Sequence, residues 1–287
     1  MDKAIDQILK SSLPEGGFAN RPGGHYRPDA TAWAVMSLRM CGVAGQRLHA
    51  ARQSITLSQL GDGRVVLSPD HPATFWPTPL AVLAWSGQPE FGEPQSRAAS
   101  FLLKVTGNHF KRPADSPAGH DTALKGWPWT EGTHSWVEPT SLAIIALRVM
   151  GSGGNERAAE GTRLLLDRQL SRGGWNYGNT TVFGTELAAM PESTGLALSA
   201  LSGLANKQGV TRSIARLQDS VKTLTTPFSL GWAILGLSAW GERPSDANAI
   251  IDRCLRRQDR CGAYDTSLTG LMIVARKAEG GLIHAFS

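Results

Sequence analysis

Four acidic residues hold the same place relative to the apolar runs that follow them: Asp29, Glu138, Glu192 and Asp265. A carboxyl at such a start can do either of two jobs. It can cap the free N–H groups of a helix and complement the positive end of its dipole. Facing a cavity, it can instead give or take a proton. His25 precedes Asp29 closely enough to orient it or ionise with it. The catalytic candidates are therefore Asp29, His25, Glu138 and Glu192, with Asp265 on the same rim. Aromatic residues form the second group. Trp33 and Trp76 sit at or near helix starts, Trp127, Trp129 and Trp136 share one stretch with Glu131 and His134, and Phe183 lies in the loop before Glu192. Aromatic faces stabilise cations through the ring quadrupole, and they also stack on sugar rings. These aromatic residues, with Glu131, His134 and Asp265, are the substrate-contact candidates.

The elements that must position them are repeats. Six apolar segments rich in small residues recur along the chain, at 29–38, 76–85, 138–147, 192–201, 226–235 and 265–274. Each opens on Asp, Glu, Thr or Trp, usually beside Pro or a hydroxyl, as helix starts do. Each then runs apolar on nearly every face, and such a helix is buried all round. Six amphipathic segments alternate with them, near 3–12, 46–58, 93–105, 155–169, 210–222 and 245–258. The economical arrangement is all-α: apolar helices form an inner ring and amphipathic ones an outer ring, in antiparallel pairs. An open solenoid is the alternative. A Gln followed by a glycine turn and an aromatic joins several units, as in Gln169-Leu-Ser-Arg-Gly-Gly-Trp175, Gln59-Leu-Gly-Asp-Gly63 and Gln258-Asp-Arg-Cys-Gly-Ala-Tyr264. These parts read as structural. Residues 1–287 form one domain, and the long insert at 106–137 has the length of a functional lid.

Gln-x3-Gly-Gly-Trp with its following helix resembles the QW repeat of squalene and oxidosqualene cyclases. The turn Gly16-Gly17-Phe18 is similar to that of protein prenyltransferase β subunits. The resemblance implies an α/α toroid, an (α/α)6 barrel of six inner and six outer helices, with an isoprenoid in a central aromatic cavity. It further implies class II, acid-initiated carbocation chemistry: cyclisation or isomerisation. The acid motif of those cyclases is Asp-x-Asp-Asp-Thr-Ala. Its counterpart is Arg27-Pro28-Asp29-Ala30-Thr31-Ala32, where Asp29 aligns with the proton-donating Asp and Arg27 and Ala30 replace the flanking acids. The prenyltransferase zinc pattern has only the partial counterpart Asp259, Cys261 and His284, so no metal and no cofactor is expected.

Composition narrows the field. The net charge is +5, with a basic cluster at Arg253, Arg256, Arg257 and Arg260. It reads as a solvated helix face or as a contact for acidic lipid or pyrophosphate. No basic run with interleaved aromatics marks a nucleic-acid reader. Cys41, Cys254 and Cys261 fit a reducing cytosol. No apolar run approaches the ~18 residues of a membrane span, and the first residues are not a secretory signal. A cytoplasmic protein, with a peripheral membrane contact as one option, is expected. Three functional readings stay open: an isoprenoid cyclase or isomerase, a non-catalytic toroid holding a lipid, an isoprenoid or a protein, and a carbohydrate-active (α/α)6 enzyme pairing Glu131 with Glu192 or Asp29.

Overall fold

The computed structural model describes residues 1–113, 116 and 118–287. The apolar segments form six helices: α2 (Pro28–Met40), α4 (Pro77–Trp85), α6 (Val137–Val149), α8 (Pro191–Leu201), α10 (Pro227–Ser238) and α13 (Thr266–Lys277). Pro at or beside the first helical position starts most of them, where its missing N–H costs nothing. Each packs on the next in chain order, and α13 packs back on α2, so the inner ring is closed. The amphipathic segments form α1 (Asp2–Leu9), α3 (Gln46–Leu57), α5 (Gly92–Lys104), α7 (Glu156–Asp167), α9 (Lys207–Val221) and α11 (Ala247–Arg256). They lie against the inner helices from outside. A closed ring, not a solenoid, is the architecture.

Two short helices were not anticipated. Helix α12 (Gln258–Cys261) continues α11, and α14 (Gly281–Phe286) packs on α6, α8, α10 and α13 together. Contact with four inner helices places α14 under the ring. The Phe286 carbonyl there accepts from the Ser86 hydroxyl at the C-terminal end of α4. The C-terminal ends of the inner helices are thus covered, and the N-terminal ends form the mouth.

The glycine turns fasten one unit to the next. Gly173 has φ +84°, and a Cβ there would come within 2.7 Å of the Arg212 backbone in α9. Only glycine fits both the left-handed backbone and that approach. The Gln169 amide reaches the Ser213 hydroxyl on the same helix at 2.8 Å. The Trp175 indole N–H donates to the Leu165 carbonyl at 2.6 Å. A threonine completes the joint. The Thr194 hydroxyl accepts the Trp175 backbone N–H at 3.0 Å. Thr31, Thr78 and Thr140 do the same for Phe18, Val65 and Trp127. Four of the six units therefore share one clamp between turn and inner helix.

Candidate functional site at the mouth of the ring

The mouth is built from the first turns of the inner helices. Asp29, Glu138 and Glu192 are the second residues of α2, α6 and α8. They are only 6%, 5% and 8% exposed, so they are not solvated surface charges. The helix dipole favours negative charge there, while burial opposes it.

The structure brings two of these acids together. Glu138 Oε1 accepts from the Ser193 hydroxyl at 3.0 Å, and Glu192 Oε2 accepts from the Ser229 hydroxyl at 2.7 Å. These bonds run from α6 to α8 and from α8 to α10, tying three neighbouring helices at their first turns. Burial pushes the Glu138 carboxyl up to about 7; the Ser193 hydrogen bond opposes the rise and the negative charge of Glu192 adds to it. Two buried carboxyls at neighbouring helix starts, one of them raised to near neutrality, can serve as an acid–base arrangement.

Asp29 has a different environment. Arg27 Nε donates to its Oδ1 at 2.9 Å and Arg27 Nη2 to its Oδ2 at 3.0 Å. The Asp29 hydrogen bond is the leading cause that raises the Arg27 guanidinium. Both oxygens of Asp29 are thus engaged as acceptors by one guanidinium fork. The Arg that replaces the first acid of the cyclase motif is the group that occupies it.

Below the acids lies an aromatic pair. Trp33, one helical turn beyond Asp29, meets Trp232 edge to face, with ring centres 5.8 Å apart and planes at 74°. Helices α2 and α10 are not ring neighbours, because α13 stands between them, so the contact reaches across the lumen side of α13. Close helix approach makes this possible. A Cβ on Gly270 of α13 would lie 2.9 Å from the Trp33 carbonyl oxygen, and one on Gly195 of α8 would lie 2.2 Å from that of Trp232.

The remaining candidates divide. Trp76 and Trp129 are half-buried and meet edge to face at 6.3 Å. The Trp129 carbonyl accepts the Phe75 N–H at 2.9 Å, so the insert is strapped to the start of α4. Glu131 is on the exposed rim, bound by Arg64 at 2.9 Å. Trp127 is part of the wall. Its N–H groups bond Leu102 and Thr140, and the Arg157 guanidinium lies 3.9 Å from its ring centre. It is the third unit's counterpart of Trp175. His134 is exposed and meets Phe110 edge to face, while Trp136 is half-buried, and both line a pocket shared by the insert with Arg168 and Asn179. Positions 114, 115 and 117 of that insert lie outside the described residues. Phe183 is 84% exposed at the tip of a hairpin, β1 (Thr181–Val182) and β2 (Thr185–Glu186). Asp265 caps α13, accepting the Leu268 N–H at 2.7 Å. His25 is exposed and makes no hydrogen bond to Asp29 among the described residues. Ser193, Ser229 and Trp232 were not singled out from the sequence. They fall within the repeats, but only the ring turns them toward the acids and the lumen. Among the described residues no cluster of His, Cys, Asp and Glu is placed to hold a metal, and no helix is long and apolar enough to cross a membrane.

No protein-family model and no curated protein matches the sequence. Solved structures do match the fold. A variant of the type II terpene cyclase MstE from Scytonema, in complex with geranylgeranyl dihydroxybenzoate, aligns with a TM-score of 0.65 at 13% identity, over 99% of this chain and 95% of that one. The fold is the α/α toroid of the terpenoid cyclases. The ent-copalyl diphosphate synthase of Streptomyces platensis aligns over 90% of this chain and 50% of its own, with a TM-score of 0.56 at 17% identity. Haptocorrin in complex with Cbi aligns over all of this chain and 67% of its own, with a TM-score of 0.55 at 13% identity. In this toroid the mouth acids therefore stand on a scaffold shared with proteins of differing function.

Proposed function

We propose that the protein takes an isoprenoid-type chain at the mouth of the ring and performs acid–base chemistry on it, an isomerisation or cyclisation begun by a proton from Glu138. The observation that supports this reading is the buried pair of Glu138 and Glu192, with Glu138 raised to about 7. Glu138 transfers its proton to one carbon of an alkene, and positive charge develops on the other. The faces of Trp33 and Trp232 and the negative charge of the neighbouring carboxyls stabilise that charge in a site from which water is largely excluded. Loss of a proton from an adjacent carbon to a carboxylate of the pair restores the enzyme. The change is neutral in atoms and electrons. The Asp29–Arg27 pair holds fixed charge at the rim, and Trp76 and Trp129 guide the chain. The bound geranylgeranyl dihydroxybenzoate of the MstE variant makes a geranylgeranyl chain the natural first probe.

Incubation with geranylgeranyl dihydroxybenzoate and geranylgeranyl diphosphate tests the reading. Turnover in the wild type, reduced about 10²- to 10⁴-fold in Glu138→Gln with binding retained, is the expected result for loss of a general acid. Turnover unaffected by Glu138→Gln would overturn it. A second reading, binding without turnover, draws on the bidentate Arg27 pairing of Asp29. Its signature is a bound ligand recovered unchanged.

A further inference from the structure

The insert, with Arg168 and Asn179, lines a half-open pocket of about 190 Å³, and none of the mouth acids lines it. At about 30 Å³ per water, the space equals roughly six waters, suited to a compact group and not to a long chain. His120, His134, Trp136, Arg168 and Asn179 contribute to its wall. His120 and Arg168 are each only 5% exposed. His120 Nδ1 and the nearby Thr180 hydroxyl are buried and have no hydrogen-bond partner among the described residues, and Arg168 Nε has only a long contact to the Asp167 carboxylate. The Arg168 guanidinium is otherwise anchored: Nη1 donates to the Gly178 carbonyl at 2.7 Å, and the Asp167 carboxylate lies 3.5 Å from Nε. A buried polar atom left without a partner costs about 1–3 kcal/mol, so His120 Nδ1 and the Thr180 hydroxyl mark a place that a polar ligand group would complete. Burial first, and then the positive charges of Arg168 and Arg112 against a smaller opposing effect from Asp121, lower His120 to about 4. The field at the imidazole is positive on balance, and a neutral imidazole still offers one N–H.

We propose that this cavity binds a compact oxyanion, a phosphate or carboxylate group, with Arg168 supplying the charge and His120 a directed hydrogen bond. The site stands apart from the mouth and does not rest on its chemistry. The test is NMR of the histidine side chains in the full chain, titrated at constant ionic strength with inorganic phosphate and, separately, with acetate. A saturable shift of the His120 resonances with either anion is expected, with the His120 titration midpoint moving upward as the anion loads. Saturation by phosphate alone or by acetate alone identifies which oxyanion the site prefers. His120→Leu, which leaves the Arg168 anchors intact, should weaken the bound anion about tenfold or more, as loss of a hydrogen bond to a charged group does. Arg168→Lys should keep weaker binding by retaining charge without the guanidinium fork. No saturable response to either anion, or equal affinity in His120→Leu, would overturn the proposal.

Discussion

At the scale of single residues, partners decide which acid holds a proton. The sequence motif points to Asp29, yet Arg27 engages both of its oxygens. Glu138 has only a serine hydroxyl and a neighbouring carboxylate, and burial raises it to about 7 from the ordinary 4.5. That difference has a stability consequence. Below about pH 4.5 the carboxyl is protonated in both folded and unfolded chains, and its contribution is fully present. It is lost progressively as pH rises from about 4.5 and is gone above about 7, because over that window the unfolded chain ionises while the folded chain keeps the proton on a buried group. Wild type should therefore lose about 3 kcal/mol relative to Glu138→Gln between pH 4.5 and pH 8, since each pKa unit is worth about 1.4 kcal/mol. Urea unfolding at the two pH values reads this directly. Parallel stability curves for the two proteins would mean that Glu138 is not held protonated. Asp29, Glu138 and Glu192 were legible in the sequence as a set because each opens a repeat. Their ranking was not, since it depends on Ser193 and Ser229, which reach the site from other helices.

At the scale of elements, the six helix pairs were legible because two hydrophobic patterns alternate, all-round apolar and one-sided. Periodicity and start signals report such elements well. The threonine clamps were harder to read. Their signal is a Thr two positions after Asp29, Trp76, Glu138 and Glu192, and its meaning appears only when each hydroxyl meets a turn residue. The clamp also explains why Trp127 is buried in the wall: its backbone is held by Thr140 and its indole by Leu102. Thr140→Val keeps the volume but leaves the Trp127 N–H buried without an acceptor. It should cost about 1–3 kcal/mol, most of it recovered in Thr140→Ser. A change in unfolding free energy within about 0.5 kcal/mol would show that the clamp is not a structural tie.

At the scale of the whole molecule, α13 closes the ring on α2 and α14 covers it at one end. The plug could not be read from Gly281–Phe286, six residues without a strong pattern, because its role comes from four helices distant in sequence. The ring gives the Glu138–Glu192 pair its setting: buried carboxyls at the N-terminal ends of the inner helices, on the side away from α14, with the Trp33–Trp232 contact farther into the ring. The proposed proton transfer from Glu138 to carbon would leave a label that no binding-only toroid can leave. Reaction of geranylgeranyl dihydroxybenzoate in deuterium oxide, followed by mass spectrometry and NMR of the recovered material, is the most direct measurement. A product carrying one solvent-derived deuterium on carbon, formed by the wild type and not by Glu138→Gln, is the predicted result. Recovery of ligand with no carbon-bound deuterium, or equal labelling by Glu138→Gln, would contradict it.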